Sequence, residues 1–155
     1  MLNKDYKEML QCLFAEDVRF LLVGAYALAA HGFPRATKDI DFFVWATPEN
    51  ASSLIRALTR FGAPLNEVST ADFSTEGIIF QIGNSPRRID IITRISGIRF
   101  EQAYANKADI LIEDMQIPVI SLDDLIINKR ASGRLQDLAD LEKLLAAHAD
   151  KSKSD

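Results

Sequence analysis

Apolar and polar positions along this chain predict helices and strands that alternate. Apolar residues recur at helical spacing over residues 3–17, and short apolar runs follow at 18–23 and 38–45. Between those two runs, residues 25–31 are rich in alanine and are followed by Gly32, a pattern typical of a short helix and its C-terminal glycine. The first part of the chain therefore predicts helix, strand, helix and strand in that order.

The rest of the chain extends this pattern. Thr47-Pro48-Glu49 has the cap, the proline and the acid of a helix start, and Gly62 is the predicted end of that helix. Residues 63–76 show no clear period and are expected to hold one helical turn at most. The remaining predicted elements are strands at 77–82, 87–95, 110–112 and 117–120, a short helix within 97–106, and helices at 121–133 and 134–149.

This order of elements predicts the fold class. Because helices alternate with strands early and hairpins follow, we expect an α/β (α+β) protein with a mixed β-sheet and helices packed on it. No linker divides the chain, so one domain is expected over residues 1–150, with a polar tail at 151–155.

Composition narrows the classes of function. A net charge of −4 gives no overall basic surface for nucleic acid, so a polynucleotide partner would need a local patch or a helper protein. Cys12 is the only cysteine, which excludes an intramolecular disulfide and argues against a cysteine-based zinc site. Without a bilayer-spanning apolar stretch or a signal-peptide pattern, we expect a cytoplasmic protein with no membrane partner.

Two acids interrupt the apolar run at 38–45. Asp39 and Asp41 are two residues apart in a predicted strand, so their side chains point to the same side, about 6–7 Å apart. Neighbouring carboxylates on a largely buried strand repel each other, and oxygen ligands of this kind suit Mg²⁺ or Mn²⁺. Taken alone, such a short and common pair is more typical of a solvated strand end.

A third acid, Asp90, stands between apolar residues in a later predicted strand. If that strand lies beside the strand of Asp39 and Asp41, three carboxylates converge, and three acids can hold two metal ions for phosphoryl displacement.

Gly24 follows an apolar run and opens the alanine-rich helix. Glycine lets a phosphate approach the backbone closely, and the free N–H groups of a first helical turn bind anions. A simple strand-to-helix turn would have the same sequence, so Gly24-Ala25 alone is a weak signal.

The combined pattern resembles the nucleotidyltransferase superfamily, which has the polymerase-β-like fold. The shared signature is an apolar residue, Gly, then Gly or Ser, a spacer and Asp-apolar-Asp, with another acid on a later strand. This chain has Gly24-Ala25, thirteen further residues, then Asp39-Ile40-Asp41. Residues 35–41 (RATKDID) are similar to the R-x-T-x-D-x-D form of small prokaryotic members, including the AbiEii/MenT-type toxin enzymes. Ala25 departs from the usual Gly or Ser and would lose any hydroxyl contact to a phosphate.

The resemblance implies roles for particular residues. Asp39 and Asp41 would hold two Mg²⁺ ions, and Asp90 would complete the second ion's ligands and help to deprotonate the attacking hydroxyl. The Gly24-Ala25 turn and Thr37 would bind the NTP.

A mixed basic and acidic stretch at 127–140 is similar to the segment that closes the domain in AbiEii/MenT-type relatives. By that resemblance, Lys129 is a candidate triphosphate contact and Arg134 a second one. Asp137 and Asp140 are expected to orient these cations or to cap the last helix. A solvated helix face with local ion pairs would have the same composition.

The activity implied by the resemblance is transfer of a nucleoside monophosphate from an NTP to a hydroxyl, with release of pyrophosphate. The acceptor stays open between the 3′ end of an RNA such as tRNA, a hydroxyl of a partner protein and a small molecule such as an aminoglycoside. The short chain leaves little room for acceptor binding, so an antitoxin or a dimer partner is expected to contribute.

Two other classes of function fit the same sequence. A non-catalytic nucleotide-binding or regulatory module is favoured by Ala25 and opposed by the three intact acids. An unrelated interaction domain with a chance motif predicts that Asp90 does not lie beside Asp41.

Overall fold

The structure, a computed structural model, describes residues 2–153. Each segment predicted as helix or strand forms the expected element, with ends shifted by a few residues. The elements, in chain order, are α1 (Lys4–Ala15), β1 (Phe20–Val23), α2 (Gly24–Ala30), β2 (Asp39–Val44), α3 (Pro48–Phe61), α4 (Thr70–Phe73), β3 (Ile79–Ile82), β4 (Arg88–Ile92), α5 (Phe100–Ala105), β5 (Ala108–Ile112), β6 (Met115–Val119), α6 (Leu122–Ser132) and α7 (Leu135–Lys153).

The strands form one mixed sheet, as the sequence predicted. Its order is β3-β4-β2-β1-β6-β5. Strand β2 is central: it pairs with β1 in antiparallel orientation and with β4 in parallel orientation. The hairpins β3–β4 and β5–β6 complete the two edges. The acidic strand is therefore held on both sides by neighbouring strands.

Alternation along β2 separates the core from the candidate chemistry. Ile40 and Phe42 are buried at 1% and 0% exposure, whereas Asp39 and Asp41 are only partly buried. Because successive side chains of a strand point to opposite faces, the acids lie on the other face from Ile40 and Phe42. Burial of the apolar face thus fixes the direction in which both carboxylates point.

Local sequence signals set most helix ends. The Asn3 side chain accepts a hydrogen bond of 2.9 Å from the Tyr6 amide, and Thr47 and Ser121 cap α3 and α6 in the same way. Gly133 ends α6 with φ +66°, in the left-handed conformation that glycine adopts without strain.

The last helix is longer than its sequence pattern indicated. Helix α7 continues to Lys153 rather than stopping near residue 149, because no glycine or proline interrupts it. Of the polar tail predicted at 151–155, residues 151–153 extend this helix, and residues 154 and 155 lie outside the described part of the chain. None of the helices within residues 2–153 is long and apolar enough to cross a membrane.

Candidate active site

Three carboxylates converge where β2 and β4 run side by side. The register places Asp41 opposite Asp90 and Asp39 opposite Arg88. One oxygen from each of Asp39, Asp41 and Asp90 lies within 4.8 Å of the others. The conditional expectation that the two acidic strands are neighbours is confirmed, and the unrelated-domain alternative, which required Asp90 to lie elsewhere, is wrong.

Arg88 contacts this acidic cluster, a feature that the sequence interpretation missed. Its Nε donates to Asp90 Oδ1 at 2.9 Å, while its Nη2 donates to Asp90 Oδ2 at 3.2 Å and to Asp39 Oδ2 at 2.6 Å. A signal was available, because a residue two positions before Asp90 in a strand must share its face.

Asp41 is an acid whose ionised form is disfavoured by its surroundings in the cluster. Burial, followed by the negative charges of Asp39 and Asp90, raises the pKa of the Asp41 carboxyl to about 8, and the Arg88 charge offsets this only in part. When ionised, the three carboxylates carry three negative charges and Arg88 neutralises one of them. An all-oxygen cluster with this excess of negative charge fits a hard divalent cation.

Gly24 makes room for the Asp41 carboxylate. It has φ +70°, and a Cβ atom there would collide with Asp41 Oδ2 and would lie 3.1 Å from Asp41 Cγ. The contact arises because Asp41 pairs with Val23, the residue before Gly24. Glycine at position 24 is therefore required by the acidic cluster itself, apart from any contact with a phosphate.

A cavity of about 320 Å³ opens beside the acids. It brings together nearly all of the residues that the sequence singled out. Its lining includes Gly24, Ala25, Arg35, Thr37, Asp39, Asp41, Asn128, Lys129, Arg134 and Asp137.

Thr37 lines this cavity and also orients the first acid. Its hydroxyl lies 3.0 Å from the Asp39 carbonyl oxygen and 3.0 Å from Asp39 Oδ1, within donating distance of both. The structure therefore gives Thr37 a contact with the acidic cluster as well as a place beside the cavity.

Lys129 is buried in an ion-pair network between α6 and α7. Its side chain is 3% exposed, and Nζ donates to Asp137 Oδ1 at 3.3 Å and to Asp140 Oδ2 at 3.0 Å. Burial acts to raise the pKa of Asp137, but hydrogen bonds from Ser132 and Arg134 and the Lys129 charge hold it below its ordinary value. The two acids thus fix the position of the lysine, as the sequence led us to expect.

Two arginines border the same network at the cavity. Arg134 is 80% exposed and donates from Nε to Asp137 Oδ2 at 2.7 Å. Arg35, which the sequence interpretation quoted only as part of a motif, pairs through Nε with Asp140 Oδ2 at 3.2 Å. Together with Lys129 they place three cations around one side of the cavity.

A mixed sheet with three convergent acids beside a strand–glycine–helix turn is the arrangement of a nucleotidyltransferase. The sequence profile of the family described as "Nucleotidyl transferase AbiEii toxin, Type IV TA system" matches residues 9–154. The chain belongs to this AbiEii family of toxin–antitoxin nucleotidyltransferases, which confirms the resemblance found in its motifs. Among curated proteins, none matches this sequence.

Solved structures share the fold at low sequence identity. A Thermotoga maritima protein assigned as a nucleotidyltransferase has a TM-score of 0.60 and 17% identity, with 95% of this chain and 96% of that chain covered. ANT(2″)-Ia in complex with adenylyl-2″-tobramycin has a TM-score of 0.64 and 14% identity, covering 96% and 91%. The solution structure of the antibiotic-resistance factor ANT(2″)-Ia has a TM-score of 0.59 and 13% identity, covering 97% and 92%.

Proposed function

We propose that this protein is a magnesium-dependent enzyme that transfers a nucleoside monophosphate from an NTP to a hydroxyl and releases pyrophosphate. The observation that supports this most strongly is the convergence of Asp39, Asp41 and Asp90 beside a cation-lined cavity. Asp39 and Asp41 would hold two Mg²⁺ ions, or Mn²⁺, and Asp90 would complete the second site. Ions bound there neutralise charge on the reacting phosphate and help to ionise the attacking hydroxyl.

The cavity of about 320 Å³ would take the triphosphate. The backbone N–H groups of the Gly24-Ala25 turn, Thr37, Lys129 and Arg134 line it and supply donors for phosphate oxygens. Lys129 would contribute a fixed charge, since its partners hold it in place, whereas the exposed Arg134 can reorient towards a ligand.

The acceptor would approach from the opposite side of the acids. A larger cavity of about 590 Å³ is lined by Phe43, Arg94 and Arg99, among others. Phe43 shares the face of Asp41 two residues further along β2, and Arg94 follows β4, the strand of Asp90. Gly24 instead follows β1, on the other side of β2. An acceptor on the β4 side and a triphosphate on the β1 side give the in-line arrangement that phosphoryl displacement requires.

The charge of this larger cavity favours one acceptor among those considered from the sequence. Arg94 and Arg99 outnumber Glu76, the one acid in the lining. They would attract the phosphates of an RNA 3′ end, such as that of tRNA, and would disfavour a cationic aminoglycoside such as the tobramycin moiety bound by ANT(2″)-Ia. A hydroxyl of a partner protein is the second candidate. Family membership also implies an antitoxin partner.

The main alternative is a catalytically idle nucleotide-binding or regulatory module with the same fold. Ala25 in place of Gly or Ser favours it, because a hydroxyl donor is lost. The complete set of three acids opposes it, since a site without chemistry has no need for a partly buried, mutually repelling cluster.

The test is calorimetric titration of the four NTPs with Mg²⁺, on the wild type and on the Asp39→Ala/Asp41→Ala double variant. A matched control, Asp109→Ala/Glu142→Ala, removes two exposed acids and changes the net charge equally. We expect Mg²⁺-dependent binding by the wild type and the control, and none by the active-site variant. Absence of binding by the wild type, or equal binding by all three proteins, would contradict the proposal.

An assay of catalytic turnover distinguishes an active enzyme from a catalytically idle module. The preferred NTP, labelled on its α-phosphate, is incubated with Mg²⁺ and total tRNA, and label transferred to RNA is measured together with pyrophosphate. Binding without transfer to any RNA, protein or aminoglycoside acceptor would favour the regulatory module.

A further inference from the structure

Arg88 holds the carboxylate that the second metal ion would need. Its guanidinium contacts both oxygens of Asp90, at 2.9 and 3.2 Å, and one oxygen of Asp39, at 2.6 Å. Asp90 is 6% exposed, so it has little access to water as an alternative partner. Charge-assisted, two-pronged contacts of this kind are among the strongest hydrogen bonds in proteins.

The position of Arg88 in the β-sheet directs its side chain towards the acids. Arg88 pairs with Asp39 across the parallel ladder and precedes Asp90 by two residues on the same strand. Both relationships direct its side chain to the face that carries the acids. Within the described residues, no other cation forms an ion pair with this cluster.

The three acids are engaged to different degrees. Both oxygens of Asp90 accept from Arg88, whereas Asp39 shares its oxygens between Arg88 and Thr37. Asp41 forms no ion pair among the described residues. Asp41 and Asp39 Oδ1, which contacts Thr37 but not Arg88, can therefore accept a cation while Arg88 still holds both oxygens of Asp90 and Asp39 Oδ2.

We propose that Arg88 is a positioning residue that competes with the second metal ion for Asp90, so that the two ion sites fill in order. The first site uses Asp39 and Asp41. Use of Asp90 as a ligand, or as the base for the acceptor hydroxyl, requires Arg88 to release at least one of its oxygens. This inference rests on the proposed metal-dependent function and adds to it the residue that limits occupancy of the second site.

A purely structural role for Arg88 makes a different prediction. If the guanidinium only braced Asp39 against Asp90, its contacts would persist when metal binds, and its removal would chiefly lower stability. Competition instead requires that metal binding and the Arg88 contacts exclude each other.

The test measures metal binding without substrate. Free Mn²⁺ is counted by electron paramagnetic resonance, and Mg²⁺ is titrated by calorimetry, on the wild type, Arg88→Gln, Arg88→Lys and Arg87→Gln. Arg87 is the matched control, since it is the exposed neighbour and carries the same charge. We expect Arg88→Gln to bind the second ion about tenfold more tightly, because a competing charge close to the ligands is removed.

The other variants separate competition from general electrostatics. Arg88→Lys keeps the charge but loses the planar fork, so its affinity should lie between those of the wild type and Arg88→Gln. Arg87→Gln should match the wild type. In the wild type, the Arg88 Nε–H resonance should shift on Mg²⁺ saturation as its bond to Asp90 opens.

Affinities within twofold of the wild type in both Arg88 variants, or an unchanged Arg88 Nε–H resonance at saturating Mg²⁺, would overturn the competition. If metal binds the wild type and is lost in Asp39→Ala/Asp41→Ala, such a result refutes only the role of Arg88. If the wild type binds no metal, the proposed function fails, and this inference fails with it.

Discussion

Gly24 and Asp41 share a space that admits only one side chain. A Cβ atom on residue 24 would collide with the Asp41 carboxylate, and Gly24 has φ +70°. Strand β1 delivers the glycine and β2 the acid, through the pairing of Val23 with Asp41. The turn that would approach a phosphate and the acid that would hold a metal ion are therefore one steric unit.

Gly24→Ala should displace Asp41 and destabilise the protein. The strain of a left-handed φ is about 1–2 kcal/mol for a residue with a side chain, and the clash with Asp41 adds about 1–3 kcal/mol more. Gly32→Ala is the matched control, because Gly32 has φ +94° but nothing within 4 Å of the added Cβ atom. Chemical denaturation of both variants isolates the Asp41 contribution, and equal losses of stability would contradict it.

The stability of the metal-free protein should fall as the pH rises from about 4 to about 8. Burial and the neighbouring acids raise the pKa of Asp41 to about 8, above its value in the unfolded chain. A group whose pKa is higher in the folded state binds a proton more tightly there and so contributes to stability. This contribution is fully present at a pH below the pKa of the unfolded chain, and it is lost as the pH rises through the pKa of the folded protein. Thermal unfolding in the presence of a chelator, across this pH range, measures the slope.

Asp41→Asn provides the control for that slope. The amide cannot ionise, so the variant should lose the Asp41 share of the pH dependence and should be more stable than the wild type at pH 8 without metal, by about 1 kcal/mol or more. It should also lose metal binding. If the stability of this variant changed with pH as that of the wild type does, the pH dependence would not come from Asp41.

Lys129→Met should lower the free energy of unfolding by about 3 kcal/mol, because Asp137 and Asp140 would lose a buried partner. Arg134→Gln removes a cation from the same network, but from a side chain that is 80% exposed, and should change stability by less than about 1 kcal/mol. Urea unfolding without nucleotide gives both values. A similar, small effect for the two variants would show that the burial of Lys129 has no energetic consequence.

Charge reversal in the larger cavity should weaken binding of the acceptor without affecting binding of the nucleotide. In Arg94→Glu/Arg99→Glu, KM for an RNA acceptor should rise at least tenfold, because phosphate contacts become repulsive, while NTP affinity stays unchanged. Arg56→Glu/Arg60→Glu changes the charge equally on α3, outside the lining of that cavity. A protein acceptor, or an equal effect of both double variants, would contradict the RNA assignment.

The elements of the fold could be predicted because each leaves a local mark. Helix starts are marked by residues whose side-chain oxygens cap the first turn, namely Asn3, Thr47 and Ser121. Helix ends are marked by Gly62 and Gly133. The length of α7 was missed because its polar end lacks an apolar face, although nothing in its sequence stops a helix.

The candidate site could be predicted only in part, for a physical reason. Asp39 and Asp41 share a face through local alternation, but the approach of Asp90 depends on a parallel pairing that no short pattern encodes. The burial of Lys129 was not predicted either, although its partners Asp137 and Asp140 were, because burial depends on how α6 and α7 pack together. The contacts of Arg88 with the acids were not predicted, because a charged residue at the start of a strand normally faces water.

The parallel pairing of β2 with β4 also has a consequence for synthesis. Asp39 and Asp41 leave the ribosome long before Asp90, and the antiparallel pairing of β1 with β2 can form in the meantime. A nascent chain that ends between these strands carries two acids but neither the third nor the arginine that holds it. For a member of a toxin family, the acidic cluster thus stays incomplete until synthesis has passed β4, which holds both Arg88 and Asp90.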